Sequence, residues 1–414
     1  MKQYRYPPKY FCGAGARIYT PQVFADKVKA VDDKLKPTLP ITGETCIDGI
    51  LLDFNYGLRL QIPEGNFHVR IVDAESDYVF LDEDLSAVTL ISIEKYFIDW
   101  EIAIWLDGEP VFYHQFDPRG QHVHFAFTTS AIGDNIAMLP YVEAFRNRFD
   151  CEVSCSIAEN LRDIVAHAYP SVRLTKSLPD DSYACFYMQM VSNIAFLSTR
   201  DTLSIPMLRA GNAILRRIEQ APKVIFAPTE PRKIQEPYVC IGVQASTNDK
   251  CWLNPHGWDE VIAHLKELGY RVLCIDRDCR CSNSGMTIKM PRGVEDMSGK
   301  YDLLDRINQL AYADFFIGVG SGLSWLAWAV DIPVVMISGF SEPWYEFDTA
   351  YRVSNPLVCH GCFNVLAHYV KLPACPMFDG TERAFECSKS ISARQVIDAI
   401  DRLIADKEQS GGAS

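Results

Sequence analysis

The chain has 414 residues, 48% hydrophobic, 12% aromatic and 22% charged, with a formal net charge of −13. That length predicts two or three domains, and the composition argues against disorder except at the termini, where "KEQSGGAS" is the loosest stretch. The negative charge, with no dense Lys/Arg block to offset it, argues against nucleic acid as a partner.

The opening "MKQYRYPPKYFCGAG" has some positive charge but no apolar secretory segment. The most apolar run, Phe315 to Val330, contains three glycines and is shorter than the roughly 20 residues needed to span a bilayer. A cytoplasmic protein without a membrane span is expected. There thiols stay reduced, so most of the 14 cysteines are expected as buried apolar side chains.

From about Cys46 to His124 apolar and polar residues alternate, as in "LRLQIPEGNFHVRIVD", with "EGN", "LDGEP" and "DPRGQ" as turns. This period of two predicts an all-β, barrel-like or sandwich-like domain over residues 1–122. At "HVHFAFTTSAIGDNIAMLPYVEAFRNRF" the pattern changes to an apolar strand, a small-residue turn and an amphipathic helix. That α/β grammar is expected to run to about Leu215, giving a first lobe over 123–220.

A linker rich in Pro and charge, Ala221 to Pro237, opens a second lobe over 221–357. Its predicted elements are strand "YVCIGV", helix Trp258–Leu268, strand "YRVLCID", helix Tyr301–Ala313, strand "DFFIGVG", helix Leu323–Val330 and strand "PVVMIS". Residues 358–390 form a cysteine-bearing insertion, and 391–414 a closing amphipathic helix and tail. Two α/β lobes with a cleft between them are thus expected behind an all-β domain.

Three turns at strand ends could carry chemistry. Asp134, in "TTSAIGDNIAMLP", lies where a parallel strand passes into a helix, a position that suits a general base or a helix N-cap. "VQASTNDKCW" offers the hydroxyls of Ser246 and Thr247 and the ammonium of Lys250 to a diphosphate. In "IGVGSGLSW", Gly318, Gly320 and Gly322 crowd a strand-to-helix turn, which allows a close phosphate approach or close packing of backbone. "DED" (82–84) and "DRD" (276–278) spell the D-x-D of metal-dependent transferases, in settings that favour structural roles.

Cys359 and Cys362 are spaced C-x-x-C around Gly361, and Cys375 and Cys387 follow after intervals of twelve and eleven residues. This suits a four-cysteine metal finger with a closed, structural shell, for which spacing favours zinc and thiolate softness also admits iron.

These elements, in this order, resemble the ADP-heptose-using heptosyltransferases of the GT-B class. The resemblance places a catalytic aspartate at Asp134 in Gly133-Asp134…Leu139-Pro140. It places a donor-diphosphate loop at Thr247, Asp249, Lys250 and Trp252, and a donor turn at Gly320, Ser321, Gly322, Leu323, Ser324 and Trp325. Gly320 and Trp325 depart from the aspartate and histidine of that family.

The β domain and the cysteine segment together are similar to the bacterial autotransporter heptosyltransferases, the TibC- and Aah-like protein glycosyltransferases. That resemblance implies two Rossmann-like lobes and an iron-holding four-cysteine finger. It further implies inverting transfer of heptose from ADP-heptose to serines of an autotransporter passenger in the cytoplasm, and a dodecameric homo-oligomer. The alternatives are a lipopolysaccharide-core heptosyltransferase and a non-catalytic metal-organised scaffold.

Overall fold

The structure, a computed structural model, describes residues 8–11, 40–92, 97–188, 222–283, 286–365, 368 and 373–411. The α/β continuation expected up to Leu215, the start of the linker at Ala221 and most of residues 1–39 lie outside them. Among the described residues, no helix is long and apolar enough to cross a membrane.

The first strands are β1 (Pro8–Phe11), β2 (Leu51–Asn55), β3 (Arg59–Ile62), β4 (Phe67–Asp73), β5 (Tyr78–Leu85), β6 (Val88–Ser92), β7 (Trp100–Leu106) and β8 (Glu109–Gln115). Four of them form an antiparallel sheet in the order β5-β4-β7-β8. Phe67, Val69 and Ile71 of β4 and Trp100, Ile102 and Ile104 of β7 are buried at alternate positions, as a sheet packed on one face requires.

Next come β9 (His122–Phe127), α1 (Ile132–Met138), α2 (Pro140–Phe149), β10 (Glu152–Ser156), α3 (Arg162–Ala168), β11 (Arg173–Thr175) and β12 (Ala184–Met188). β12, β9, β10 and β11 pair in parallel, as expected of the first lobe. The sheet does not stop there. β2 pairs in parallel with β12 through Phe54↔Ala184 and Asn55↔Cys185, and β3, β6 and β1 follow to give eight strands.

The expected self-contained barrel is therefore, among the described residues, a four-stranded sheet plus strands enrolled in the first lobe. The burial of β2 accounts for this, because Leu52, Asp53, Phe54 and Asn55 are buried in succession, as in a strand covered on both faces. Within it the Asp53 carboxylate accepts hydrogen bonds from Arg59 Nε and Nη2, at 2.7 and 2.5 Å. The same sheet buries a polar row: the Ser154 hydroxyl lies 2.8 Å from His122 Nε2 and 2.7 Å from His124 Nδ1. Burial, more than the neighbouring His122 and Arg173, holds the His124 imidazole down to about 4.

The second lobe contains β13 (Tyr238–Gly242), α4 (Gly257–Glu267), β14 (Arg271–Cys274), β15 (Arg280–Asn283), β16 (Met286–Lys289) and β17 (Glu295–Asp296). It continues through α5 (Leu303–Leu310), β18 (Phe316–Val319), α6 (Gly322–Ala329), β19 (Val334–Ile337) and β20 (Arg352–Val353). Six strands, in the order β17-β14-β13-β18-β19-β20, are all parallel. β13, β18 and β19 are buried along their whole length, the signature of a sheet covered by helices on both sides. β15 and β16 make a separate antiparallel hairpin.

A short helix, α7 (Glu386–Lys389), leads to α8 (Ala393–Gly411). There Ala393, Val396, Ala399, Ile400 and Leu403 bury one face against the second lobe. One continuous apolar core runs from Ile50 in β-sheet territory to Phe347 in the second lobe, so the β strands and both lobes share their packing.

Candidate active site

The two lobes meet at their motifs. A Cβ on Gly133 would lie 2.7 Å from the Trp325 indole, and one on Gly322 would lie 2.8 Å from Ile132, so glycine at both positions lets the start of α1 abut the start of α6. Asp134 stands in the first turn of α1. Its N-capping alternative is not realised, since Ala131 is the cap residue and makes no side-chain cap bond. No hydrogen bond to the Asp134 carboxylate occurs among the described residues. Burial raises its pKa, and the charge of Lys250 offsets part of that rise.

Lys250 ends a single 3-10 turn, Asn248–Lys250, beyond β13. Its loop is tied at both ends. At the start, Val243 and Gln244 donate their backbone N–H groups to Asp276, at 2.9 and 3.3 Å. Burial pushes Asp276 up to about 6, against those donors. At the far end the Ser388 hydroxyl donates to the Cys251 carbonyl at 2.6 Å and accepts from Leu253 N–H at 2.8 Å. The Trp252 indole and the Asn254 amide both donate to the Ile391 carbonyl at 3.0 Å. Trp252 is therefore a buried anchor of the loop. The Lys250 ammonium lies 5.2 Å from the centre of the Phe340 ring. Thr247 hydrogen-bonds the Asp249 carboxyl, and burial raises the pKa of Asp249.

The third turn starts α6. Ser321 caps this helix in extended conformation, yet its hydroxyl is buried with no partner among the described residues. An orphaned hydroxyl at a helix N-terminus is suited to an anion. Leu323 packs under Gly242, and Trp325, 2% exposed, meets Phe347 edge to face with centroids 5.0 Å apart. Trp325 thus belongs to the contact between lobes.

Cys359, Cys362, Cys375 and Cys387 line one small cavity, with Asp249 and Phe340 also in its wall. Gly361 supports this turn with φ +66, where a Cβ would strike Glu342. Burial, then the neighbouring thiols, push Cys362 and Cys387 up to about 12. Among the described residues, no three His, Cys, Asp or Glu donors already form a coordination shell. Four soft thiols around one cavity nonetheless fit a thiophilic cation.

The two D-x-D candidates are occupied otherwise. Asp82 and Asp84 flank His68, each at 2.8 Å. Asp276 holds the start of the Lys250 loop. Sequence reasoning assigns no part in these turns to three residues that support them: Asp276, read only within "DRD", Ser388, and Glu346, which lies against Gly320. Only Asp276, at the carboxyl end of a strand, carries a local signal.

Residues 47–108 match the N-terminal domain of glycosyltransferase TibC, and residues 208–356 match glycosyltransferase family 9 (heptosyltransferase). The autotransporter heptosyltransferase BAHTCr of Citrobacter rodentium is 37% identical over 373 residues, covering 88% of this chain and 91% of its own. The crystal structure of dodecameric iron-containing heptosyltransferase TibC, in complex with ADP-D-beta-D-heptose, superposes with a TM-score of 0.81 at 36% identity, covering 89% of this chain and 99% of that one. An inactive autotransporter heptosyltransferase, BimC of Burkholderia thailandensis, is 32% identical over 364 residues, 84% of each chain. By these likenesses and by its strand-end motifs, the chain belongs to the autotransporter heptosyltransferases of glycosyltransferase family 9.

Proposed function

We propose that this chain is a GT-B glycosyltransferase that moves heptose from ADP-heptose to serine hydroxyls of an autotransporter passenger in the cytoplasm, with inversion at the anomeric carbon. The observation that carries this reading is the abutment of the start of α1, which carries Asp134, on the start of α6, with Lys250 near enough for its charge to act on Asp134.

The serine oxygen attacks the anomeric carbon as the bond from that carbon to the diphosphate oxygen breaks, and ADP departs with the electron pair. Asp134, whose pKa burial raises, takes the serine proton. Lys250, the hydroxyls of Ser246 and Thr247, and the Gly320-Ser321-Gly322 turn with Leu323 and Trp325 behind it bind the diphosphate side and stabilise the charge that develops there.

Cys359, Cys362, Cys375 and Cys387 would hold one iron ion, with zinc the alternative for the same donors. When bound, the ion supplies cross-linking and takes no part in transfer. The dodecamer named for TibC is proposed for this chain too.

A second reading has support in the inactive relative: a scaffold that retains the fold without transfer. Incubating the purified protein with ADP-heptose and a passenger, followed by peptide mass spectrometry, separates the two. Heptosylated serine is expected. Passenger binding without sugar addition would leave the scaffold.

A further inference from the structure

The turn that starts α6 has an acceptor built beside it. A Cβ on Gly320 would lie 2.9 Å from Glu346 Oε1, so the glycine leaves room for a carboxylate that arrives from the segment after β19. Glu346 is 9% exposed. Its other oxygen is fixed: Oε2 accepts from the Ser341 hydroxyl at 2.6 Å and from Arg352 Nη2 at 3.2 Å, in a pair whose side chains are 7% and 8% exposed. Ser338 extends the network, its hydroxyl 3.1 Å from that of Ser341. No described residue donates to Oε1.

An ionised carboxylate oxygen only accepts hydrogen bonds, and phosphate oxygens at this pH also only accept. Oε1 therefore cannot pair with the diphosphate; it pairs with something that donates. Next to it the orphaned Ser321 hydroxyl and the N-terminus of α6 offer what a phosphate needs. Gly320 is then the border between the diphosphate subsite and a hydroxyl-bearing group. The same turn touches the start of α1, where Gly322 meets Ile132 and Trp325 meets Gly133 beside Asp134. The part of a nucleotide sugar that lies toward the base is the sugar to be transferred, with the adenosine on the far side of the diphosphate.

We propose that Glu346, held by Ser341 and Arg352 and admitted by Gly320, accepts a hydrogen bond from a ring hydroxyl of the donor sugar and so determines which sugar nucleotide is bound. This rests on the ADP-sugar reading above.

The test compares the affinities of the full-length protein for ADP and for ADP-heptose by calorimetry, in the parent, in Glu346→Gln and in Glu346→Asp, whose shorter side chain keeps a charge for Arg352 but draws the carboxylate back from Gly320. Loss of a hydrogen bond to a charged group weakens binding roughly tenfold or more. Both variants are expected to lose that much affinity for ADP-heptose and to keep that for ADP. Equal loss of both ligands, or no loss of either, overturns the proposal, because Glu346 would then serve only the shape of the turn. It is overturned likewise if neither variant folds; if only Glu346→Gln misfolds, Glu346→Asp decides. A parent protein that binds ADP-heptose no better than buffer would remove the donor reading itself, an outcome visible before any variant is measured.

Discussion

Behind Lys250 all six strands run parallel, whereas behind Asp134 parallel strands share a sheet with antiparallel ones that come from the N-terminal region. A parallel sheet directs every strand's carboxyl end to one edge. The second lobe uses this three times there, for the Lys250 loop, for Asp276 and for the Gly320 turn. The first lobe uses it once in the site, for Asp134, and gives over its β12 edge to fastening β2. One lobe thus gathers three strand-end features at one edge, as the proposed nucleotide site requires. The other places Asp134, the proposed base, and fastens β2 along its β12 edge. Damage to the second lobe should appear in affinity, and damage at Asp134 in turnover.

The largest expected effect tests that division directly. Asp134→Asn should lower transfer by about 10²- to 10⁴-fold in a passenger assay, while calorimetry finds ADP affinity unchanged. In the parent, kcat/KM should rise with pH through the Asp134 ionisation. This acid limb should lie above the ordinary carboxylate range because burial outweighs Lys250. Its stability sign is opposite: the folded pKa exceeds the unfolded one, so ionisation as pH rises through that interval destabilises the fold. Asp134→Asn should therefore unfold at a slightly higher temperature at pH 7.

Replacing Cys387 by Ser should abolish bound metal by elemental analysis. Since a structural metal contributes several kcal/mol or more, Tm should drop by several degrees, and ADP affinity with it through Ser388. Lys250→Ala should weaken ADP binding roughly tenfold to hundredfold and move the acid limb further up, since the charge that lowers the Asp134 pKa is gone; an acid limb that stays put would break the pairing of the two lobes. The smallest effect is expected for Ser154→Ala, which takes the shared hydroxyl from His122 Nε2 and His124 Nδ1 in the first-lobe sheet and should cost about 1–3 kcal/mol in chemical denaturation, with no change in ADP affinity.

How much of this the sequence displays follows the same contrast. "YVCIG", "FIGV" and "VVMI" read as buried parallel strands because each is apolar throughout, and the helices between them show in their spacing. The alternation of β4 and β7 is equally plain. What alternation does not encode is the partner of a strand: nothing local in "LLDFN" points to Ala184 and Cys185, some 130 residues later, and so a separate barrel is the natural expectation. The hairpin β15–β16 passes unnoticed because its residues are largely polar. Asp134, Lys250 and the glycine turn are visible because strand-end chemistry is local in sequence. Ser388, Asp276 and Glu346 act across folded distances, and the "DRD" around Asp276 gives no sign that its carboxylate holds the backbone ahead of Lys250.

The hydrogen bond from Ser388 to the Cys251 carbonyl joins residues 137 positions apart. During synthesis, Lys250 emerges long before the segment that satisfies the backbone around it. A chain that ends before Ser388 carries the ammonium but lacks the hydroxyl that pairs with the Cys251 carbonyl and the Leu253 N–H. The form of the Lys250 loop is thus completed only when the cysteine segment and the residues that lead into α8 have left the ribosome.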